Sequence, residues 1–473
     1  MTSAFHGFPD LPNPGEVAFC KINEVYCCAE ASYGNITTFT NATKDHPKIN
    51  VARDHQHRFA DENVSMYLDV DDNILKRITS VWFTQGFKEA LSVAADRNLN
   101  RHRPILTLIA SYSLKIVKTL SGWRHIFHPP EENFGPKIIA NYSRTRNWGL
   151  VPIKRISWHP HTTRIAVVTS DDSVRVYSSD NPIVSTLKCK MQENVSSISW
   201  RPYSVCEIAV GCEQGIIVWT VDPNSTFTKP SANNTVVLKR ANHTPVTDVC
   251  WSPNGSILIS CSEADNSMLV WEVSLQNAIP MTRIAGGGPT FVAPSVDGHK
   301  LFAATSSIIF RVWDTVEVWR PERWCARGGR VVAASWGPDS VLLFAAKGEP
   351  MLYALSNTGL LTGDQSSKVQ PVLDTSRVSL PYGETMGGCI LDLAWERTGR
   401  YLALMFQDSP HIAIFCTTVI MMQVKLSPCC FVSGVDGEMA VTMDFQKNFN
   451  EGACLTIAWS SGRIQHFPVI YTE

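Results

Sequence analysis

Short stretches of apolar residues, several of them alternating with polar ones, recur along the second two-thirds of the chain. Alternation with a period of two, as in Ser173–Tyr177, is the pattern of a strand with one buried face. Clusters of Ser, Pro, Asn and Gly separate the stretches. Around Trp251 the pattern predicts one strand that ends at Trp251, a turn over 252–255, and further strands over 257–261 and 268–273. The pattern therefore predicts many short strands joined by tight turns.

A tryptophan followed two positions later by a proline marks a repeat in the same region. Intact copies lie at Trp158, Trp200, Trp251 and Trp336, a decayed copy lies at Trp395, and the remaining copies are placed at Pro294 and Phe445. Successive spacings are 42, 51, 43, 42, 59 and 50 residues. A period of about 40–45 residues is typical of WD40 repeats, each of which forms one four-stranded blade of a β-propeller. The two longest intervals predict extended loops near 222–234 and 357–388.

A second aromatic mark follows the first in every copy. These second marks are Tyr177, Trp219, Trp271, Trp313, Tyr353, Phe415 and Phe467. The separations from first to second mark are 19, 19, 20, 19, 17, 20 and 22 residues. Seven copies predict an all-β fold, a seven-bladed WD40 β-propeller. Eight of the 14 tryptophans occupy these marks, so their abundance indicates blade packing and not a binding site.

A propeller ring must close, because an open last blade would leave an unpaired strand edge. Few residues follow the last mark, so a fourth strand hardly fits there. Residues 16–30 are typical of strand, and we predict that this N-terminal segment completes the last blade. The sequence is accordingly divided into an N-terminal segment (1–43), an α-helical insert before the first full blade (44–150) and the propeller (151–473).

The insert differs from the propeller in periodicity and charge. Apolar residues over 75–91 and 106–120 recur at helical spacing. Residues 44–155 contain 18 Lys+Arg and 11 Asp+Glu, a balance of +7, whereas the remainder has 24 against 32, or -8. This asymmetry indicates either a basic surface that faces an acidic partner or an anionic membrane, or merely solvated side chains on a packed insert. The candidate basic residues are Arg101, Arg103, Lys115, Lys118 and Arg124.

One polar constellation stands out within the repeats. In the third copy His243, Asp265 and Trp271, together with Ser260 or Ser262, have the spacing of the structural hydrogen-bond chain found in WD40 blades. A buried histidine there supports packing and is not a catalyst. Asp171 occupies the same turn position ahead of Tyr177.

Motifs of catalysis and cofactor binding do not occur. The sequence contains no G-x-S-x-G, P-loop, G-x-G-x-x-G or H-E-x-x-H, and its 14 cysteines include no C-x-x-C pair. The N-terminal stretch lacks the pattern of a signal peptide, and 104–117 is too short and polar for a membrane span. The net charge of -1 provides no overall basic field for nucleic acid. We expect an intracellular protein that is not an enzyme, with no catalytic or metal-binding residues, no cofactor, no small-molecule substrate and no direct nucleic-acid binding.

Several longer runs resemble the aladin family of WD-repeat nucleoporins. These runs are Trp158–Thr162, Asp171–Tyr177, His243–Thr247, Phe310–Trp313, Gly348–Pro350 and Trp459–Ile464. They extend across nearly the whole predicted propeller, and the insert precedes it as in that family. Vertebrate members carry a longer C-terminal tail than this sequence, so the resemblance does not extend to any role of that tail.

The resemblance implies a non-enzymatic scaffold of the nuclear pore complex at the nuclear envelope. It implies other nucleoporins as partners, especially a membrane-embedded nucleoporin that anchors the pore, and peripheral contact with the nuclear membrane. It further implies a role in selective protein import and an association with the spindle or centrosome in mitosis. Two alternatives stay open from the residues alone: a WD40 substrate adaptor, for instance in a ubiquitin ligase, and an enzyme with its site in the central channel.

Overall fold

The computed structural model describes most of the propeller and short pieces ahead of it. The described residues are 5, 7–12, 16–22, 25–30, 94, 111–113, 115, 145–147, 151–178, 184–222, 228–231, 235–282, 286–316, 319–357, 367–379, 385–420, 423–435, 437–449 and 452–470. The chain divides into two compact units, one of Ala60–Lys137 and the other of Met1–Phe59 with Ile138–Glu473. In the first unit, 94, 111–113 and 115 are helical, and the rest of the predicted helices lie outside the described residues. The domain boundaries at 43 and 150 stay predictions.

Strands dominate the second unit, as the alternating pattern predicts. In chain order they are β1 (Glu16–Ile22), β2 (Val25–Glu30), β3 (Thr145–Asn147), β4 (Ile153–Trp158), β5 (Arg164–Thr169), β6 (Val174–Ser178), β7 (Ser185–Leu187), β8 (Ser197–Trp200), β9 (Glu207–Cys212), β10 (Gly215–Thr220), β11 (Thr235–Leu238), β12 (Asp248–Trp251), β13 (Leu258–Cys261), β14 (Ser267–Glu272), β15 (Asn277–Thr282), β16 (Pro289–Pro294), β17 (Lys300–Thr305), β18 (Ile309–Asp314), β19 (Arg320–Cys325), β20 (Val331–Trp336), β21 (Leu342–Ala346), β22 (Met351–Asn357), β23 (Ser367–Asp374), β24 (Val378–Ser379), β25 (Thr385–Met386), β26 (Ile390–Trp395), β27 (Tyr401–Phe406), β28 (Ile412–Ile420), β29 (Gln423–Val432), β30 (Ala440–Phe445), β31 (Gly452–Trp459) and β32 (Arg463–Ile470). Two single 3-10 turns, Val273–Leu275 and Pro338–Ser340, interrupt the connections.

Six four-stranded antiparallel sheets form blades one to six, and a larger sheet forms blade seven. Blade one is β4–β7, blade two β8–β11, blade three β12–β15, blade four β16–β19, blade five β20–β23, blade six β26–β29, and blade seven contains β30–β32 with β1, β2 and β3. The small β24–β25 hairpin lies in the chain between blades five and six. The first strand of each blade contacts the first strands of both neighbours, and β30 contacts β4. This closed cycle confirms the predicted seven-bladed propeller.

The N-terminal segment closes the ring, as predicted, but the strand arrangement differs from a simple fourth strand. β1 runs parallel to β32, with Lys21 opposite Val469, and β2 pairs antiparallel with β1. β3 pairs antiparallel with the start of β32, where Thr145 lies opposite Gln465. β3 falls inside the range 44–150 that was predicted to be helical. It is a strand because β1 pairs only with the end of β32 and leaves the beginning of that edge open.

Buried apolar side chains lie between neighbouring blades and do not form one central core. Seven clusters occur among the described residues, one at each blade interface around the ring. The cluster between blades seven and one joins Ala458 and Ile464 to Trp158 and Tyr177. Each interface is thus stabilised separately, and no blade buries its faces without both neighbours.

The register of the strands places the repeat marks and corrects one of them. In blade three Trp251 lies opposite Leu258, which lies opposite Trp271. In blade five Trp336 lies opposite Leu342, and Leu342 lies opposite Leu355 rather than Tyr353. The equivalent of the second mark in blade five is therefore the aliphatic Leu355, 19 residues after Trp336. The sequence analysis assigns the mark to the aromatic Tyr353, which lies two residues before Leu355 in the same strand and pairs with Phe344.

The proline of the Trp-x-Pro motif packs against the turn of the next blade. Gly255 in blade three has φ +68°, and a Cβ there would lie 2.5 Å from the carbonyl oxygen of Pro202 in blade two. Gly399 in blade six has φ +76°, and a Cβ there would lie 2.5 Å from Pro338 Cδ in blade five. The proline of one blade's Trp-x-Pro motif therefore contacts a glycine of the next blade, and this glycine lies four residues after that blade's own first mark.

Outer strands of the blades carry prolines that limit edge-to-edge pairing. One proline lies in the fourth strand of each of four consecutive blades: Pro280, Pro321, Pro371 and Pro428. Proline has no N–H to donate, so an added strand could not continue a full ladder there. The fourth strands of blades one and two are short instead, with three and four residues.

Gly255→Ala is expected to destabilise the fold more than Gly437→Ala. Both residues have positive φ, +68° and +83°, but a Cβ at Gly437 would have no neighbour within 4 Å. An alanine with positive φ lowers the free energy of unfolding by about 1 kcal/mol at either position. The clash with Pro202 raises the total loss for Gly255→Ala to about 3 kcal/mol. Urea unfolding followed by tryptophan fluorescence measures both losses. Equal losses would show that the contact between the turns does not constrain the ring.

Candidate functional site

The tryptophan and tyrosine repeat marks are packing residues. Each of the nine marks named for packing is at most 8% exposed: Trp158, Tyr177, Trp200, Trp219, Trp251, Trp271, Trp313, Trp336 and Trp395. The first marks end the first strand of their blades, and the second marks lie in the third strand. Because both kinds of mark face the interfaces between blades, they hold the ring together and present no reactive surface.

The indole N–H groups of three of the five tryptophan first marks reach back to the preceding blade. Trp200 Nε1 donates to the carbonyl oxygen of Ser157 at 3.1 Å, and Trp336 Nε1 donates to that of Ala293 at 2.8 Å. Trp158 Nε1 donates to Thr456 Oγ1 at 2.9 Å, across the junction of blades one and seven. A buried indole N–H needs such a partner, and here the partner ties consecutive blades.

The structure brings His243, Asp265 and Trp271 together through Ser260 in blade three. Trp271 Nε1 donates to Ser260 Oγ at 2.8 Å, and His243 Nε2 lies 2.9 Å from the same oxygen. His243 Nδ1 lies 2.9 Å from Asp265 Oδ2. With the Nδ1 proton directed to the carboxylate, the Ser260 hydroxyl donates to Nε2, so every polar atom in the chain has a partner. Burial lowers the pKa of His243, and the Asp265 carboxylate opposes this shift.

Asp171 in blade one makes the same local turn without the histidine. Its Oδ1 accepts from Ser173 Oγ at 2.9 Å and is also bonded to Thr169 Oγ1. Asp265 likewise accepts from Ser267 Oγ at 2.8 Å. The aspartate therefore serves the turn between the second and third strands in both blades, and only blade three adds the histidine to it.

A second histidine, His159, is buried at the junction of blades one and two. Its Nδ1 accepts from the backbone N–H groups of His161 and Thr162 at 3.1 and 3.0 Å. Its Nε2–H donates to the carbonyl oxygen of Ser204 at 2.9 Å. Burial lowers the pKa of His159 to about 3, so the ring is neutral at physiological pH. The sequence places this residue in the first Trp-x-Pro turn but does not predict its inter-blade hydrogen bond.

The central channel is a concave feature of the propeller. It encloses a cavity of about 390 Å³ lined by the first strands of all seven blades. Residues three positions before each first mark form one ring around it: Arg155, Ser197, Asp248, Phe291, Ala333, Asp392 and Thr442. Because the marks share one register, these side chains share one level of the channel wall.

Carboxylates dominate the charge of this wall. Asp248, Asp392 and Asp444 are half-buried in it. Burial raises the pKa of Asp248 and of Asp392 to about 6, and Arg155 opposes the shift at both residues. Burial also raises the pKa of Asp444. Asp248 Oδ2 accepts from Val292 N at 3.0 Å and Asp444 Oδ2 accepts from Trp158 N at 2.9 Å, so both carboxylates connect their blade to the next one.

The channel residues were missed at the sequence level, although a signal for them exists. None of Arg155, Asp248, Asp392 and Asp444 belongs to a motif, and Arg155 was counted with the insert. Counting three residues back from each repeat mark would have placed the first three of them on the channel wall. Placing these residues on the channel wall requires the propeller geometry as well as the repeat spacing, because only the fold shows that these positions face one another.

Of the five candidate basic residues in the insert, the structure describes one. Lys115 is exposed, and its Nζ lies 5.8 Å from the centre of the Tyr112 ring, a side chain that is 62% exposed. Arg101, Arg103, Lys118 and Arg124 lie outside the described residues. Their proposed contact with a partner or a membrane stays a prediction.

Within the described parts of the chain, no group of three or more His, Cys, Asp or Glu side chains is arranged to hold a metal ion. The same residues include no helix that is long and apolar enough to cross a lipid bilayer.

Ser260→Ala is expected to destabilise the protein by about 2–4 kcal/mol, because it leaves Trp271 Nε1 and His243 Nε2 buried without their partner. Ser256→Ala is the matched control, since that hydroxyl bonds only an exposed turn residue, Asn254, at 2.7 Å. The control is expected to change stability by less than about 0.5 kcal/mol. Denaturant unfolding of both variants measures the difference. A loss for Ser260→Ala no larger than that of the control would show that the hydrogen-bond chain does not stabilise blade three.

Relative to the wild type, His159→Asn is expected to lose less stability as the pH falls from 7 to 5. The folded pKa of His159 is about 3, below the ordinary value of 6.5, so the unfolded chain binds more protons between these values. Stability from this residue is complete above about pH 6.5 and is lost as the pH falls, by up to about 1.4 kcal/mol per pH unit. Unfolding free energies at several values from pH 7 to 5 test this. A wild-type pH dependence of stability in His159→Asn would refute the prediction.

Comparison with known proteins identifies the family. The family profile described as the aladin seven-bladed propeller matches residues 134–470. Aladin of Arabidopsis thaliana is 26% identical over 353 residues, which cover 68% of this chain and 76% of that protein. A probable cytosolic iron-sulfur protein assembly protein 1 of Aspergillus oryzae is 27% identical over 159 residues, covering 28% of this chain and 35% of that protein.

A solved structure supports the fold alone. The β-propeller domain of Cps50 (Swd1) from Myceliophteria thermophila superimposes with a TM-score of 0.51 at 13% identity, covering 67% of this chain and 96% of that domain. The aladin profile, in contrast, spans more than half of the chain and includes every blade strand from β3 to β32. The chain therefore belongs to the aladin family of WD-repeat nucleoporins.

Proposed function

We propose that this protein is a non-enzymatic scaffold and docking component of the nuclear pore complex. The observation that carries the proposal is the match of the aladin propeller profile to residues 134–470, over a ring that closes on itself. A closed propeller holds its surface loops in fixed relative positions, which suits a protein that joins several partners at once. Its tasks are to support selective protein import and, in mitosis, spindle organisation.

One face of the propeller supports the docking role. Connections from first to second strands and from third to fourth strands lie on the same face of an antiparallel blade. This face carries exposed apolar side chains in blades two, three and four: Tyr203 (55% exposed), Leu275 (68%), Val296 (50%) and Val316 (66%). Apolar side chains gathered on one side of a folded protein are typical of interaction surfaces. We assign this apolar face to contact with other nucleoporins.

The proposed location is the nuclear envelope, with association to the spindle or centrosome in mitosis. The proposed principal partner is a membrane-embedded nucleoporin that anchors the pore. The basic insert contributes to this anchorage through an acidic partner surface or the anionic membrane. The excess of Lys and Arg over Asp and Glu in 44–155 supports this part of the proposal, although Lys154 and Arg155 belong to β4.

The full chain with a fluorescent tag is expected to give a continuous nuclear rim under the microscope. Leu275→Asp combined with Val316→Asp should weaken the rim signal strongly, because two charges enter the apolar face. Ile308→Asp is the matched control: its side chain is also 50% exposed, but it lies in a connection between second and third strands on the other face. Thermal unfolding confirms that each variant is folded.

The outcomes separate the parts of the proposal. A diffuse signal from the unaltered chain would contradict the proposal that the protein is a component of the nuclear pore. Affinity purification that recovers ubiquitin-ligase subunits instead of nucleoporins would favour a substrate adaptor. A normal rim in the double variant would reject the apolar face as the docking surface. Deletion of 60–137 should reduce the rim signal, and an undiminished rim would remove the insert from the anchorage.

A further inference from the structure

Acidic residues outnumber basic residues among the described side chains that line the central channel. The charged side chains are Arg155 and Arg330 against Asp248, Glu263, Asp392 and Asp444. Arg330 forms an exposed ion pair with Glu263, at 3.3 Å, and this pair neutralises itself. Among the described residues of the wall, what remains is one guanidinium, Arg155, and three half-buried carboxylates. The wall therefore has two negative charges in excess around a cavity of about 390 Å³.

Polar atoms of the wall also have unused hydrogen-bonding capacity. Thr290 Oγ1 is buried, lines the channel and has no hydrogen-bond partner among the described residues. Ser197 is only 9% exposed and also lines the channel, where a hydrogen bond from its hydroxyl opposes the upward shift of the Asp248 pKa. A buried hydroxyl without a partner is costly, so the Thr290 hydroxyl points to a polar ligand in the channel.

We propose that the central channel binds an arginine side chain presented by an extended segment of a partner protein. A guanidinium has five N–H donors and no acceptor, which matches a wall of carboxylates with the unpartnered Thr290 hydroxyl as a further acceptor. Phe291 and Met443 in the same wall provide apolar surface for the methylene part of the side chain. The cavity is far larger than a single ion, and the carboxylates of the described wall are not grouped for metal coordination.

Asp392 is the channel carboxylate that can be replaced with the least disturbance of the ring. Its Oδ1 accepts from the N–H of Leu393, its own neighbour in β26, at 2.9 Å. Asp248 and Asp444, in contrast, each accept an N–H from the next blade, so their replacement disturbs the ring as well as the channel. Asp392→Asn keeps the shape and the local hydrogen bond while removing one negative charge.

The test uses isothermal titration calorimetry on the full chain with capped Gly-Arg-Gly as the probe and capped Gly-citrulline-Gly as its neutral counterpart. We expect the arginine peptide to bind with a Kd of about 1 mM or tighter, and the citrulline peptide to bind at least about tenfold more weakly. Asp392→Asn should weaken the arginine peptide about tenfold. Glu272→Gln, a change at an exposed residue outside the channel, should not.

Arg155→Gln provides a result of opposite sign. Arg155 interacts with Asp248 and Asp392 and so competes with an incoming cation, and its removal should tighten binding of the arginine peptide. Equal binding of the citrulline peptide, unchanged binding to a folded Asp392→Asn variant, or weaker binding to Arg155→Gln would each overturn the proposal. These measurements use purified protein and do not depend on where the protein lies in the cell.

Discussion

Closure of blade seven is the constraint on which the rest of the structure depends. Each of blades one to six buries its two faces against its two neighbours. An open ring would therefore expose two apolar blade faces, one on each side of the gap. The closing strand β1 pairs with β32, and Gln465 Nε2 donates to the carbonyl oxygen of Ala18 at 2.6 Å. The same segment reaches blade six, where Lys21 Nζ lies 3.2 Å from Cys429 Sγ and the Phe8 ring stacks on Phe431 at 4.3 Å. The N-terminal residues therefore fasten two blades and not one.

Hydrogen bonds from charged and polar side chains also join neighbouring blades, in addition to the apolar packing between them. Asp248 and Asp444 each accept an N–H of the following blade, and neutral His159 donates to a carbonyl of blade two. Their environments shift the two kinds of group in opposite directions: burial raises the pKa of the carboxylates and lowers that of the histidine. Between about pH 4 and 6, acid therefore favours the native carboxylates while it disfavours the native histidine, so the two contributions to the pH dependence of stability partly cancel.

Much of the fold follows from the sequence because the repeat is read from residues that pack between blades. Trp251 and Trp271 both lie level with Leu258 of the strand between them, and their spacing is set by the second and third strands of the blade and the two turns that precede these strands. The hydrogen-bond chain of His243 follows for the same reason, since its members are local to one blade. Tyr353 was misassigned because an aliphatic residue, Leu355, can fill the same site. β3 and the channel wall depend on partners hundreds of residues away or on the shape of the ring, which local patterns do not encode.

The parallel pairing of β1 with β32 has a consequence for how the chain is made. Lys21 must meet Val469, so more than 400 residues are synthesised between the two halves of the closing contact. At about 5–20 residues per second, the first strands wait on the order of 20–90 s after leaving the ribosome before their partner exists. During that interval the growing propeller is an open arc with an exposed interface at each end. Translation therefore produces a long-lived open form of the arc, whose unpaired edges are natural targets for chaperones.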